Sequence, residues 1–136
     1  LLLSDKLLVY HRDLSQRKPN TSFTLINQMN KAISEVKYTY PESHVLLLII
    51  PDKLTAYEKF ISPNLDFPSS FFDQIDTFPE YCIDVHSFIT SQIERGEVDI
   101  YKYSGTHFSE NGADLIGEFI QNQLDSLIAS QEDVTK

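Results

Sequence analysis

Residues 44–50 read His-Val-Leu-Leu-Leu-Ile-Ile, HVLLLII. After the histidine every position is apolar, with nothing polar at alternate places. A strand with one wet face alternates; a run without alternation suits a strand covered on both faces, as in a parallel sheet flanked by helices. Pro51-Asp52 stops the run.

The flanks fit that placement. Upstream, Tyr40-Pro41-Glu42-Ser43 ends a helix. Thr21 or Ser22 can cap its start, and Phe23, Ile26, Met29, Ile33 and Val36 fall at steps of three and four on one face. The methionine among them reads as core. Earlier still, Lys6–Tyr10 reads as a strand and His11–Asn20 as a loop.

Downstream, Leu54–Ile61 predicts a short helix, with Asp52-Lys53 as a surface turn before it. Ser62–Glu80 carries Pro63, Pro68, Pro79 and the aromatics Phe67, Phe71, Phe72 and Phe78. It reads as a long excursion packed by its own rings, with a helical turn around Ser70–Ile75. Tyr81–Val85 predicts a strand, Ser87–Arg95 a helix closed by Gly96, and Val98–Tyr103 another strand. Ser109 caps a final helix with the stripe Leu115, Ile116, Phe119, Ile120, Leu124, Leu127 and Ile128, and a polar tail expected to fray covers 130–136. Strands alternating with helices predict an α/β fold, a three-layer α/β/α sandwich of flavodoxin-like type with a mainly parallel sheet. Sites in such sheets form at the carboxyl ends of strands.

Size and charge narrow the function. The 136 residues, 41% hydrophobic, suit one domain over 1–136 that buries about two-thirds of the unfolded chain's surface. A net charge of -9 repels phosphate backbones and anionic membranes, so neither nucleic acid nor a charged membrane surface is the expected partner. The longest apolar run, 45–50, is too short to span a bilayer, so no membrane insertion is expected of this segment. The single cysteine, Cys82, reads as a buried inert thiol and excludes an intrachain disulfide. The chain opens LLLSDK, without a methionine, which points to a fragment or processed form of a larger chain. Asn20-Thr21-Ser22 is a glycosylation sequon of a kind common by chance.

The chemistry-bearing stretch is Tyr103–Ala113, YSGTHFSENGA. His107 stands between the last strand and the last helix, with Ser109 as the cap behind it and Gly112 permitting close packing. An imidazole there suits a general base, because its ordinary pKa lies near neutrality. The competing reading is a turn histidine bonded to nearby backbone. Other groupings are weaker. His11-x-Asp13 reads as a solvated loop, and Asp84-x-His86, though metal-like in spacing, as a helix cap by Asp84 or Ser87. Four histidines without a tight cluster argue against zinc, and the absence of Gly-rich phosphate motifs argues against nucleotide cofactors, so no cofactor is expected.

The block Thr106-His107-Phe108-Ser109-Glu110-Asn111-Gly112-Ala113 before a helix resembles the histidine block of the SGNH, or GDSL, hydrolases. Tyr40–His44 leading into VLLLIIP resembles their helix-to-central-strand segment. Pro51-Asp52-Lys53-Leu54-Thr55-Ala56-Tyr57 resembles the P-x-K-x-x-x-Y element of the alginate O-acetyltransferase-like branch, as does Gly105-Thr106-His107-Phe108 its histidine block. The resemblance covers most of residues 6–128.

It implies acyl transfer on a carbohydrate or similar ester: a serine attacks the carbonyl, a histidine takes its proton and an aspartate orients the histidine. His107 is the residue that matches. Ser104 stands where the aspartate three places earlier would be, and Gly105 two places earlier. There is no G-D-S block and no G-x-N-D block, so the resemblance implies a nucleophile outside this chain. It also leaves room for a degenerate, non-catalytic module that binds a glycan or a protein partner. Lys53 and Tyr57 would line the substrate site or brace it. An extracytoplasmic location is implied by the resemblance alone.

Overall fold

The computed structural model describes residues 21–61, 71–72 and 82–134, with side chains for 24–61, 71–72 and 82–129. The expected strand Lys6–Tyr10, the loop His11–Asn20 with its His11/Asp13 pair, and most of the aromatic excursion lie outside the described residues.

Helix α1 spans Thr21–Thr39, as its periodicity predicts. Of its apolar face, Ile33 is buried, Ile26 and Met29 are half-buried and Val36 is exposed. Strand β1 is Leu47–Leu48, the middle of the HVLLLII run. It pairs in parallel with β2, Cys82–Ile83, in the register Leu47 to Cys82 and Leu48 to Ile83. The parallel arrangement expected from the sequence is present in this pair. Cover on both faces is not: Leu46, Leu48 and Ile50 stand 36%, 38% and 48% exposed, while Val45, Leu47 and Ile49 are half-buried. The run therefore alternates in burial though not in chemistry, because successive side chains leave a strand on opposite faces.

Between the strands lies α2, Lys53–Tyr57, continued by a 3₁₀ turn over Glu58–Phe60. The surface turn expected at Asp52-Lys53 is instead the start of this helix. Asp52 is its N-cap, with Oδ1 accepting from the Thr55 N–H at 2.7 Å, and all five helical residues are buried.

Helix α3, Val85–Glu94, begins on a second aspartate cap: Asp84 Oδ1 accepts from the Ser87 N–H at 2.9 Å. It ends where Gly96 takes φ +96°. There Gly96 N–H donates to Ile93 O and Glu97 N–H to Gln92 O, both at 3.0 Å. This closure satisfies the helix's last carbonyls and needs a residue without Cβ at the left-handed position.

The strand expected over Val98–Tyr103 reduces to one antiparallel bridge, Tyr101 to Phe108. Asp99 sits at φ +63°, outside strand geometry, which breaks the extended run before it can pair. Helix α4 spans Glu110–Val134, continuing beyond Ser130 into the expected polar tail.

The core joins α2, β2, α3, the 100–101 segment and the first turns of α4 through Ala56, Tyr57, Ile83, Val85, Ile89, Ile93, Ile100, Tyr101 and Ile116. Phe88 of α3 stacks on Phe119 of α4 with ring centroids 4.0 Å apart. The described chain is thus a mixed helix–strand fold around one parallel strand pair. Among the described residues no helix is long and apolar enough to cross a membrane.

Candidate functional site

Residues 100–109 fold back on themselves. Lys102 N–H donates to His107 O at 2.9 Å, Ser109 N–H to Ile100 O at 3.0 Å and Gly105 N–H to Lys102 O at 3.3 Å. The Tyr101 and Phe108 rings lie 4.7 Å apart across the bridge. Both feet of the turn are fixed by backbone bonds and by the contact of buried Tyr101 with half-buried Phe108, while Lys102, Tyr103, Ser104 and His107 are exposed at its rim.

Behind the turn, Ser109 caps α4 and accepts from Gly112 N–H at 2.9 Å, while its own hydroxyl donates to Asp99 O. Gly112 meets the backbone directly. A Cβ there would lie 1.9 Å from the Ile100 carbonyl oxygen, so only glycine lets α4 approach this closely. The close packing expected of Gly112 is what the structure contains.

His107 is exposed, and neither ring nitrogen has a hydrogen-bond partner among the described residues. Ser104 is exposed on the same turn, and its hydroxyl makes no bond to the imidazole among those residues. The turn thus brings His107 and Ser104 to one rim without coupling them.

Lys53 and Tyr57 lie beneath the turn, not at its rim. Lys53 is 1% exposed, and its Nζ donates to the carbonyls of Lys102 at 2.8 Å and Tyr103 at 2.9 Å. Tyr57 packs edge-on against Tyr101 with centroids 5.9 Å apart. Burial pushes the Tyr57 phenol upward, and the Asp99 carboxylate adds to it. Tyr101 is a residue sequence reasoning passed over. Its hydroxyl donates to Pro51 O at 2.6 Å. Burial drives this phenol well above its ordinary range, with the Asp52 carboxylate and Tyr57 adding to the rise. Ile100 and Tyr101 are neighbours and both buried, against the alternation of a strand, so the pattern at 98–101 did not mark Tyr101; a buried tyrosine hydroxyl must find an acceptor.

The remaining candidates resolve simply. Asp84 is occupied as a cap, and His86 stacks on Phe72 with centroids 4.3 Å apart. Among the described residues no group of three His, Cys, Asp or Glu side chains is placed to hold a metal ion. Cys82 is half-buried rather than buried, its thiol pushed up by burial and by the neighbouring Asp84 carboxylate.

No family model, curated protein or solved structure matches the chain.

Proposed function

We propose that this chain carries the histidine block of an SGNH-type ester hydrolase or O-acyltransferase acting on a carbohydrate or similar ester. In this reading the described residues are part of a three-layer α/β/α sandwich. The observation that supports it most is the presentation of His107: an exposed imidazole on a turn whose feet are fixed by backbone bonds and by buried Tyr101 against half-buried Phe108. A general base must be reachable by the proton it takes, and a fixed backbone limits where its ring can go.

The chemistry runs in two steps. A serine supplied from outside these residues attacks the ester carbonyl carbon as His107 takes its hydroxyl proton. The ester C–O bond breaks, and the leaving alcohol receives that proton from the imidazolium. Water, or a second alcohol in the transferase case, then attacks the acyl-serine while His107 again takes and returns a proton. Ser104 stands in place of the acidic partner. A hydroxyl can orient an imidazole but stabilises its cation less than a carboxylate.

The alternative is a non-catalytic SGNH-like module that binds a glycan or a protein partner. The observation favouring it is the absence of a carboxylate at 104 or 105.

One experiment separates them. The full-length protein is assayed on p-nitrophenyl acetate beside His107→Gln. The catalytic reading expects a loss of about 100-fold or more. Equal rates in the two proteins overturn it and leave the binding module.

A further inference from the structure

We propose that Lys53 is a positioning residue that sets the geometry of the His107 turn through two consecutive peptide groups. Lys53 is 1% exposed, and its ammonium donates to the carbonyls of Lys102 and Tyr103. A buried ammonium is costly unless its protons are taken up, and a methionine would fill similar space without that cost. The lysine brings this pair of bonds to the turn, which a methionine cannot make.

The pair acts on one residue's backbone. Peptide groups are planar, so holding the carbonyls of 102 and 103 fixes the planes on either side of residue 103 and hence its φ and ψ. The Lys102 N–H, in turn, holds His107 O at 2.9 Å. Lys102 thus links the two, its carbonyl held by the Lys53 ammonium and its N–H holding His107 O.

The clamp is reciprocal. The turn gives one bond back, from the Tyr101 hydroxyl to Pro51 O at 2.6 Å. Lys53 is itself held as the first residue of α2 behind the Asp52 cap. Residues 51–53, which leave β1, are thus tied by three hydrogen bonds to residues 101–103. The turn's aim depends on where β1 ends, and Lys53 transmits it. The consequence for catalysis rests on His107 being the base; the clamp does not.

The test is Lys53→Met in the full-length protein, followed by native-state hydrogen exchange and the His107 imidazole resonance, assigned by its loss in His107→Gln. The expected result is at least a tenfold loss of protection at the Lys102 amide, with the Ile93 amide in α3 unchanged. The His107 resonance should move, and ester hydrolysis should lose at least tenfold in kcat with KM within twofold. Lys53→Arg, which keeps cationic donors, should recover part of the exchange protection. An unmoved Lys102 amide and His107 resonance in a folded Lys53→Met protein overturn the proposal. So does a loss that reaches Ile93 equally, since that is general packing. If Lys53→Met does not fold, the unmutated protein decides: slow exchange of the Lys53 Nζ protons supports the clamp, and exchange as fast as at exposed Lys31 overturns it. An ester assay blind to His107→Gln removes the catalytic reading while the exchange data still judge the clamp.

Discussion

Two apolar stretches of this chain end in opposite surroundings. Ile89 and Ile93 of α3 are wholly buried, whereas Leu46, Leu48 and Ile50 beside β1 stand a third to a half exposed. The β1 stretch is the more apolar of the two. Burial follows from what lies opposite, not from the residue's own character. The α3 isoleucines share one core cluster with Ala56, Tyr57, Ile100 and Tyr101, and Tyr101 is a foot of the His107 turn. Order at the His107 turn comes from the densely packed region, not from the most hydrophobic one.

The sharpest way to break this contrast is at the seam between turn and helix. Gly112→Val places side-chain atoms where the Ile100 carbonyl already stands, and neither backbone can yield without moving the turn. Urea denaturation should show a loss of about 3 kcal/mol. A loss below about 1 kcal/mol would mean the seam is not close-packed.

The next test sets the two stretches against each other. Ile93→Ala empties a fully buried site and should cost about 3 kcal/mol. Leu48→Ala, at 38% exposure, should cost about 1 kcal/mol or less. Similar losses in the same denaturation series would erase the distinction.

The smallest effect is at Tyr101. Tyr101→Phe leaves the Pro51 carbonyl without its donor and should cost about 1 kcal/mol at neutral pH. It should also change the alkaline limb. The folded phenol is raised above its ordinary value, so its contribution is complete below about pH 10 and is lost as pH rises from there toward the folded pKa. Removing the hydroxyl should flatten the fall in stability above pH 10. A fall as steep in the variant as in the parent would place the alkaline sensitivity elsewhere, with Tyr57 the next phenol to test.

Much of the local structure was legible because it depends on neighbours in sequence. The caps at Asp84 and Ser109, the closure at Gly96 and the helix from Thr21 are short-range events written in residue type. The parallel pair was legible from the alternation of strands with helices, though not for the reason the run at 45–50 suggested, cover on both faces. Exposure of that run's outer face was not, since apolar residues do not say what covers them. Lys53 misled for a related reason. A lysine after Pro-Asp reads as a solvated turn, and only the fold brings two carbonyls from fifty residues away to receive it. The extended segment at 98–103 failed at Asp99, whose left-handed backbone leaves no mark in the sequence beyond a residue type that tolerates it.

The chain contains no tryptophan, so its near-ultraviolet signal comes mainly from seven tyrosines. Among the described residues Tyr38, Tyr40 and Tyr103 are solvent-exposed, and only Tyr57 and Tyr101 are buried. Those two are held edge-on directly beneath the His107 turn. A rigid pair of asymmetric chromophores gives a circular-dichroism band near 280 nm, while freely rotating surface rings give little. Among the described tyrosines the candidate site therefore carries the rigid pair, an optical reporter readable without a label.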